Sequence, residues 1–502
     1  MVQTSNEVVL ALDIGTGGAR AVAYDLEGRL IAQSEAHYPT YYDRPTWAEQ
    51  EAEDWWRATT SALQEIALRL KGSYRIRAIG LTGQSPSIVP CDREGQPLRR
   101  GLIYQDNRAT REAQEWTAQC GGPEAIHRRT GHEPAAFYIG PKVLWVQRHE
   151  PEVFAHTHLW MQPRDFVVWR LTGQAVTDWS HAGSTLLFEI AERRWASDLF
   201  DLLAIPRSMF PPALAPWSNL GEMLPAVAQQ VGLAPGIPVV LGGADSQCCA
   251  LGAGVLTSGQ LSDMAGTSTC LNAPVRQPLS DLRIANYCHV VPDWWCTELG
   301  LNASGAAFEW LATLLAPAGA GPIFAECEAA AVQSEPGARG LLFLPYMADG
   351  ERFNPALRGC FWGLSLRHTR ADLARAVLEG VGYAIREHLV TMAEAGAPVR
   401  EMHISGGGAS VNLWNQLKAD IAGIPVVAVA ADATSLGVAM LAGTATGLYP
   451  SLDSAVARCV KIRRRYEPDT TSAALYADRY AGFRELARAT TESERLATEG
   501  GH

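Results

Sequence analysis

Features that would assign the chain to a membrane or to nucleic acid are missing from its 502 residues. No apolar stretch approaches the length of about 18 residues that a membrane-spanning helix needs. The first residues also lack the basic and then apolar progression of a secretory leader. Acidic residues outnumber basic ones, 53 against 42, and the formal net charge is −11. We therefore expect neither nucleic acid nor a membrane as a partner, and a soluble cytoplasmic protein.

Paired cysteines and metal-ligand spacings are missing as well. The ten cysteines contain no Cys-x-x-Cys pair, and none stands at ligand spacing from a histidine. This usage is typical of reduced thiols in a cytosolic protein. The closest histidines, His156 and His158, have no third ligand nearby in the sequence, so we expect a surface pair and no metal there.

Short apolar runs alternate with stretches of helical periodicity along the chain, which favours an α/β fold. The length predicts more than one domain, and the pattern restarts near residue 240. We therefore expect two domains, residues 1–246 and 247–502. The predicted strands are residues 8–12, 21–24, 30–37, 76–82, 238–241, 260–264 and 400–405. The predicted helices are residues 51–70, 246–254, 411–421 and 472–496.

A glycine-rich turn, residues 13–18, joins the first two predicted strands and reads Asp-Ile-Gly-Thr-Gly-Gly. Glycines reach backbone conformations closed to other residues, so several N–H groups of such a turn can point at one anion. Asp13, at the mouth of the turn, suits a hydrated Mg²⁺. An ordinary tight hairpin, with Asp13 bonded to the backbone, explains the same residues equally well.

The strand and turn pattern recurs in residues 260–269, which suggests two similar halves. Two such halves around a cleft would offer a nucleotide two phosphate-binding turns. A third glycine cluster, residues 406–409, lies between a predicted strand and a predicted helix, where N–H groups can meet a ligand. A flexible connecting turn is the alternative for this third cluster.

Asp245 follows a predicted strand in the turn Gly242-Gly243-Ala244-Asp245. A carboxylate there can accept the proton of a substrate hydroxyl that attacks a phosphate, because phosphoryl transfer mainly requires alignment and charge neutralisation. A helix N-cap ahead of Ser246 explains the residue as well, and the two roles are compatible.

Two polar loops follow predicted strands in the first half: residues 83–87, Gly-Gln-Ser-Pro-Ser, and residues 104–108, Tyr-Gln-Asp-Asn-Arg. Amide, carboxylate and guanidinium groups together suit a polyol, whose hydroxyls need paired donors and acceptors. Taken alone, the loops are equally typical of solvated turns.

Taken in order, these motifs resemble the FGGY carbohydrate kinases of the actin-like ATPase clan, over residues 8–450. Residues 359–364, Gly-Cys-Phe-Trp-Gly-Leu, are followed after seven residues by Asp372-Leu373 and then by residues 376–379, Ala-Val-Leu-Glu. This arrangement is similar to the family's carboxy-terminal signature. Residues 137–149 are similar to the amino-terminal signature through Lys142, Trp145 and Val146, although Ile139 departs from it.

The resemblance implies two actin-like, ribonuclease H-like domains around a central cleft, with ATP and Mg²⁺ as cofactors. It makes Asp245 the catalytic base and a Mg²⁺ ligand. The residues implied at the ATP phosphates and Mg²⁺ are Asp13, Gly15, Thr16 and Arg20. The implied second phosphate turn and adenosine surface are Gly266, Thr267, Gly305, Gly407, Gly408, Ala409 and Asn412.

The residues implied to bind the sugar are Gln84, Ser85, Asp106, Arg108 and Asp245. Several positions look most like the xylulose kinase branch, which typically carries Gly-Gln-Met-His-Gly where this chain has residues 83–87. This chain lacks the histidine that would donate to a sugar hydroxyl. Because an unpaired polar group costs about 1 to 3 kcal/mol, the identity of the sugar is left open. Ser85 and Pro86 also disfavour glycerol, because glycerol kinases place arginine and glutamate there.

We therefore expect transfer of the γ-phosphate of ATP to a terminal hydroxyl of a ketose, D-xylulose first. Another pentulose, a pentitol or a tetritol is the alternative substrate. A nucleotide-dependent switch of the actin-like clan, which would not phosphorylate sugar, is the alternative of another class, and a catalytically weak sugar sensor is a third. A homodimer is left open, because Trp294-Trp295 suits a core or an interface.

Overall fold

Strands and helices alternate through the computed structural model, which describes residues 6–319, 321–348, 350–351, 354–430 and 432–499. The strands are β1 (Glu7–Ile14), β2 (Gly18–Asp25), β3 (Leu30–His37), β4 (Glu49–Gln50), β5 (Arg75–Gly83), β6 (Val89–Cys91), β7 (Gly101–Leu102), β8 (Leu159–Met161), β9 (Thr177–Asp178), β10 (Phe188–Glu189), β11 (Arg194–Trp195), β12 (Ala213–Leu214), β13 (Asn219–Glu222), β14 (Pro238–Ala244), β15 (Gln260–Ala265), β16 (Thr269–Val275), β17 (Ala285–Cys288), β18 (Trp295–Leu301), β19 (Leu342–Leu344), β20 (Cys360–Trp362), β21 (Glu401–Ser405), β22 (Val426–Val429) and β23 (Ile462–Tyr466).

The helices are α1 (Ala52–Leu70), α2 (Thr110–Gln119), α3 (Pro123–Thr130), α4 (Ile139–His149), α5 (Pro151–His156), α6 (Pro163–Thr172), α7 (Trp179–Gly183), α8 (Ser197–Leu202), α9 (Pro225–Val231), α10 (Asp245–Gly252), α11 (Gly305–Leu314), α12 (Phe324–Val332), α13 (Arg370–Glu394), α14 (Asn412–Ala422), α15 (Ala433–Ala445), α16 (Leu452–Cys459) and α17 (Ala473–Glu499). Single 3₁₀ turns are formed by Arg207–Met209, Ala338–Gly340 and Gly407–Ser410. In the described part of the chain, no helix is both long enough and apolar enough to cross a bilayer.

The chain forms two compact units. The first unit comprises Met1–Leu256, Pro274–Thr297 and Ala431–Val460, and the second comprises Thr257–Ala273, Glu298–Ala430 and Lys461–His502. Each unit is built on its own group of paired strands.

The sheet of the first unit has the order β13-β14-β5-β1-β2-β3. Strand β1 pairs antiparallel with β2 and parallel with β5, and β5 pairs parallel with β14. Alternate residues of β1 enter two different cores: Leu10 packs in the core of Trp55 from α1, whereas Val9 packs in the core of Val438 from α15. Burial on both faces explains why β1 is an uninterrupted apolar run.

Five strands of the second unit repeat this arrangement in the order β16-β15-β21-β22-β23. Strand β15 pairs antiparallel with β16 and parallel with β21, β21 pairs parallel with β22, and β22 pairs antiparallel with β23. The order matches β2-β1-β5-β14-β13 of the first unit, strand for strand. The prediction of two similar halves, made from the repeated strand and turn pattern, is confirmed.

The strands and helices predicted from the sequence are confirmed, with ends that differ by a few residues. The compact units, however, differ from a single cut between residues 246 and 247, because α15 returns to the first unit and packs on α10. Glycines allow this approach: a Cβ on Gly437 would lie 1.9 Å from the Cys248 carbonyl oxygen, and one on Gly252 would lie 1.7 Å from that of Ala433.

The Trp294-Trp295 pair packs inside the first unit. Trp294 is buried, with Arg276 over its ring, and the Trp295 indole N–H donates to the Ile190 carbonyl at 2.9 Å. These contacts favour the core interpretation of the pair over the interface one.

Candidate functional site

The turn between β1 and β2 is closed by its own backbone and held by side chains. The Gly15 N–H donates to the Gly18 carbonyl at 3.0 Å. The Tyr38 hydroxyl donates to the carbonyl oxygens of Gly15 and, at 3.2 Å, Gly18, and the Gln50 side chain donates to the Thr16 carbonyl at 2.7 Å. These bonds fix the peptide planes of the predicted phosphate turn before any ligand binds.

Two carboxylates share one guanidinium beside this turn. Arg20, paired with Asp13 across the hairpin, lies 3.4 Å from the Asp13 carboxylate and 2.6 Å from that of Asp432. The pKa of Asp13 is raised to about 6, because burial and the Asp432 carboxylate together raise it more than Arg20 lowers it. The cluster therefore carries surplus negative charge close to the turn.

Asp432 was not predicted from the sequence as a site residue. It is the N-cap of α15, and its side chain accepts from the Ser435 N–H and hydroxyl. The Asp-x-x-Ser spacing indicates a helix start. Its contact with Arg20, however, depends on α15 returning to the first unit.

Asp13 and Asp245 belong to the same edge of the first unit's sheet. Thr82 of β5 pairs with Asp13 on one side and with Gly243 on the other. Neighbouring strands lie about 4.8 Å apart, so Asp13 and Gly243 are roughly 10 Å apart across the sheet. Both carboxylates therefore stand at the carboxyl ends of parallel strands, where α/β sheets bind their ligands.

Asp245 is the first residue of α10, and Ala244 is the N-cap. The Asp245 Oδ1 accepts from the Ser246 N–H at 2.7 Å, and the residue is half-buried. The carboxylate thus does contact the helix N-terminus, as the alternative interpretation predicted, although from within the first turn. The contact is compatible with a role as base.

The second unit contains a cavity of about 520 Å³ that brings together five predicted nucleotide-binding glycine and threonine residues. Gly305 has to be glycine, because a Cβ there would lie 2.3 Å from the Gly266 carbonyl oxygen. Aromatic rings of Phe308, Phe324 and Trp414 complete the wall. The five predicted residues are Gly266, Thr267, Gly305, Gly407 and Gly408.

Ala409 and Asn412 lie in the same segment, but their polar groups are bonded elsewhere. The Ala409 carbonyl accepts from the Asn415 amide at 3.1 Å, and the Asn412 Oδ1 accepts from the Tyr466 hydroxyl at 2.7 Å. Their contact with adenosine stays a prediction. Aromatic residues of the cavity were not predicted as site residues, because a single aromatic side chain in a helical pattern usually indicates core.

The first predicted sugar loop is tied to its surroundings by side-chain hydrogen bonds. Gln84 is buried and donates to the Gln50 Oε1 at 2.8 Å. The Ser85 hydroxyl lies within hydrogen-bonding distance of Gln162 Oε1, at 3.1 Å, and of the Ser184 hydroxyl, at 2.9 Å. A small cluster of hydroxyl and amide groups therefore surrounds Ser85, which stands beside the position of the missing histidine.

Asp106 and Arg108 of the second sugar loop form a buried ion pair. The Arg108 Nε donates to the Asp106 Oδ1 at 2.9 Å, and the guanidinium carbon lies 3.5 Å from the centre of the Trp47 ring. The Asp106 Oδ2 also accepts from the Ala48 N–H at 2.7 Å. Among the described residues, no hydrogen-bond partner faces the buried Arg108 Nη1, so its two N–H groups are not used by the protein.

Lys142 joins the two sugar loops. Its buried ammonium donates to the carbonyl oxygens of Pro86, at 3.2 Å, and Ile103, at 2.7 Å. Burial lowers the pKa of Lys142 to about 7, while Asp106 raises it and Arg108 lowers it. The family signature drew attention to this lysine, and its two contacts show a positioning role that the sequence did not predict.

The donor set fits one hydrated divalent cation. In the described ranges, no group of three or more His, Cys, Asp or Glu side chains is arranged to hold a metal ion by itself. Mg²⁺ in phosphate-transferring sites usually takes one or two carboxylates and fills its other positions with water and phosphate oxygens. The surplus negative charge around Asp13 and the position of Asp245 on the same sheet edge are consistent with that pattern.

Comparison with known proteins gives two consecutive matches along the chain. Residues 8–252 match the FGGY family of carbohydrate kinases, N-terminal domain, and residues 262–446 match its C-terminal domain. Xylulose kinase from Staphylococcus epidermidis is 32% identical, with 97% of both chains covered. Xylulose kinase from Escherichia coli is 30% identical over 95% of this chain and 98% of its own. Glycerol kinase from Acidovorax ebreus is 31% identical over 92% of this chain and 94% of its own.

The solved structures agree with the sequence comparisons. Xylulose kinase from Rhodospirillum rubrum superposes with a TM-score of 0.91 at 31% identity, covering 97% of this chain and all of that one. The predicted α/β fold with two related domains is confirmed, and so is the prediction of an ATP-dependent sugar kinase. The chain belongs to the FGGY family of carbohydrate kinases.

Proposed function

We propose that this kinase transfers the γ-phosphate of ATP to the terminal hydroxyl of D-xylulose, giving D-xylulose 5-phosphate. The support is the run of relatives named xylulose kinase, whose similarity covers nearly the whole of both chains. A protein named glycerol kinase matches at comparable identity over most of both chains. The residues of the sugar loops therefore have to decide between substrates.

We assign the chemical step to Asp245. Its carboxylate accepts the proton of the sugar hydroxyl as the oxygen attacks the γ-phosphorus, and ADP leaves with the electrons of the broken P–O bond. Thr16 and Arg20 contact the phosphates through a backbone N–H group and the guanidinium, beside Gly15, whose own N–H closes the turn. The second unit's cavity binds the adenosine, for which Gly305 and Gly407 leave room and Phe324 offers an aromatic face.

Mg²⁺ is the expected metal of this reaction. Asp13 and Asp245 would hold it through their carboxylates together with water and phosphate oxygens. The cation supplies neutralisation of phosphate charge. Arg20 is shared between two carboxylates and so neutralises only part of their charge, which is consistent with room for a cation.

The charges around the sugar loops favour an uncharged substrate. The Arg108 guanidinium is matched by Asp106 at 2.7 Å and by Glu49 at 2.6 Å. Glu49 also pairs with Arg99, whose other partner is Glu150. Three carboxylates thus face two guanidinium groups and the Lys142 ammonium, so the surroundings of the sugar loops hold no excess of positive charge for an acidic sugar. A ketose or polyol fits, whereas an aldonate does not.

The Ser85-Pro86 loop does not determine which uncharged sugar or polyol is the substrate. Ser85 is smaller than the residues that xylulose kinases typically carry here, and its hydroxyl is occupied by Gln162 and Ser184. Another pentulose, a pentitol or a tetritol is the alternative substrate. Membership of a carbohydrate kinase family over both domains favours all of these above a nucleotide switch without sugar chemistry.

The experiment that tests the proposal is coupled ADP release with one sugar at a time. The panel contains D-xylulose, its pentulose epimers, pentitols, tetritols, glycerol and gluconate. We expect the highest kcat/KM with D-xylulose and no turnover with gluconate. A pentitol or tetritol that exceeds D-xylulose by tenfold or more would replace the substrate, and sugar-independent ATP hydrolysis alone would contradict the kinase assignment.

A further inference from the structure

Strand β14 contains a bulge a few residues before Asp245. The register with β5 shifts between Val240 and Gly243, and Gly242 has a φ of +75°. A Cβ on Gly242 would lie 1.6 Å from the Leu81 carbonyl oxygen, so the bulge requires glycine. Backbone groups at such a bulge need partners outside the sheet.

Side chains from α6 and α7 supply these partners. The Arg164 Nη1 donates to the carbonyl oxygens of residues 241 and 242 at 2.8 and 3.1 Å. The Ser180 hydroxyl accepts from the Ala244 N–H at 2.9 Å. Both side chains are fully buried, so water does not compete for these bonds. Three backbone atoms immediately before Asp245 are thereby held in place.

Asp178 joins the two groups that hold the strand. Its Oδ1 accepts from Arg164 at 2.8 Å and lies 2.6 Å from the His181 Nδ1. Its Oδ2 accepts from the N–H and the hydroxyl of Ser180 at 2.7 and 2.5 Å. Burial alone would raise the pKa of Asp178, but Arg164 and His181 lower it to about 2. The ionised carboxylate orients both donors at once.

From these contacts we infer that Arg164, Asp178 and Ser180 are positioning residues that aim Asp245 at the sugar hydroxyl. The inference rests on the proposed function, in which Asp245 is the base. None of the three contacts the reacting atoms in this account. They act by holding the bulged strand end, because proton transfer requires the base within hydrogen-bonding distance of the hydroxyl, and a displacement of about 1 Å can cost about 100-fold in rate.

The first test is Ser180→Ala, which removes the acceptor for the Ala244 N–H and leaves the Arg164–Asp178 pair intact. We expect kcat to fall about 10- to 100-fold while the KM for ATP stays within about twofold. The matched control is Ser34→Ala. Ser34 is also a buried serine of the first unit, bonded to the Ala62 carbonyl at 2.6 Å, but it lies in β3.

Comparison of the two variants separates positioning from stability. We expect similar changes in melting temperature for both and a loss of kcat for Ser180→Ala alone. Equal kcat values for the two variants would overturn the inference. The proposed function would stand in that case, because it is tested separately by Asp245→Asn.

The residual turnover of a double variant distinguishes positioning of Asp245 from a purely structural role. If Ser180 acts through Asp245, adding Ser180→Ala to Asp245→Asn leaves the residual turnover unchanged. A further loss equal to that of the single variant would contradict the inference. If Asp245→Asn itself keeps wild-type turnover, the base assignment fails instead, so the two failures are distinguishable.

Arg164 offers a graded variant. Arg164→Lys keeps a buried cation that can still reach Asp178 or a strand carbonyl, whereas Arg164→Met keeps neither bond. We expect kcat to fall in the order wild type, lysine variant, methionine variant. A lysine variant that folds and is as inactive as Asp245→Asn would contradict a positioning role, since partial rescue is then absent. If the methionine variant does not fold, Ser180→Ala and the lysine variant still test whether these residues position Asp245.

Discussion

The two units repeat one strand order but carry different chemistry at the turn after their first strand. In the first unit the turn is surrounded by charge, because Arg20 lies between Asp13 and Asp432. In the second unit the corresponding turn contributes Gly266 and Thr267 to a cavity with aromatic walls. The same backbone therefore presents a charged site in one unit and a largely apolar one in the other.

The difference shows which part of the site comes from topology and which from side chains. Asp13 stands one residue before the end of β1, and Met264 stands one residue before the end of β15. Strand order determines where a ligand can approach, whereas the residue at the equivalent position helps to determine whether the ligand meets a charged or an uncharged surface there. The predictions that follow change one side of this comparison at a time.

Among variants of the two matching turns and the second unit's cavity, the largest effect is expected for Asp13→Asn. Loss of the carboxylate removes the proposed Mg²⁺ ligand and frees Arg20 from one partner, so we expect kcat to fall about 100- to 1000-fold. The paired control, Met264→Leu, changes the equivalent position of the second unit without changing charge and should leave kcat within about threefold. Steady-state kinetics with saturating ATP and sugar measure both.

Similar kinetic losses in these two variants would contradict the division of roles between the turns. Melting curves of both proteins supply the folding control. A loss confined to Asp13→Asn would sharpen the comparison.

A smaller effect is expected for Phe324→Ala in the second unit's cavity. Phe324 is 44% exposed and lines the cavity wall, so its truncation removes a stacking face without opening the core. We expect the KM for ATP to rise about tenfold with kcat nearly unchanged, since base stacking is worth about 1 to 3 kcal/mol. Leu314→Ala, an exposed apolar residue at the end of α11, is the control and should leave KM unchanged.

If the KM for ATP is unaffected by Phe324→Ala but rises in Leu314→Ala, the cavity is not the adenosine site. A fall in kcat at unchanged KM would instead assign Phe324 to the phosphate chemistry and would remove the contrast between the units.

The smallest effect concerns the buried lysine of each unit. Lys418 lies 2.6 Å from the carboxylate of Asp263, whereas Lys142 donates to two carbonyl oxygens. Burial lowers the pKa of Lys142 from 10.5 to about 7. Between these values the unfolded chain binds the additional proton, so this group makes the fold more stable as pH rises through that window.

Relative to Lys142→Met, the wild type should therefore gain about 1 kcal/mol of stability between pH 7 and pH 8. Denaturant unfolding of both proteins at the two pH values measures the difference. Parallel pH dependence of the two proteins would contradict the burial of Lys142 as an unpaired ammonium.

The fold could be predicted to the extent that local sequence determines it. The apolar run and glycine-rich turn of residues 8–24, the helix of residues 51–70 and the strand of residues 260–264 all depend on near neighbours, and all three were found. The two similar halves were predicted because the second turn motif resembles the first, and the repeated strand order agrees with them. These are consequences of periodicity and turn chemistry.

The site could be predicted only where its residues follow strands directly. Asp13 and Asp245 were predicted in this way, and the structure places both at the carboxyl ends of parallel strands, while their roles stay predictions. Asp432 was missed because its partner Arg20 lies 412 positions earlier. The bonds of Arg164 and Ser180 to the backbone before Asp245 were missed because they depend on a bulge that the sequence does not reveal. Contacts of this kind are set by tertiary packing, which has no local pattern in the sequence.

The most direct test of the account is Asp245→Asn, measured as coupled ADP release with the best sugar of the panel and, separately, as ATP binding by calorimetry. The amide keeps the size of the side chain but is a far weaker base. We predict a loss of kcat of about 1000-fold or more, with ATP affinity and melting temperature nearly unchanged. Turnover equal to that of the wild type would contradict the assignment of Asp245 as the base.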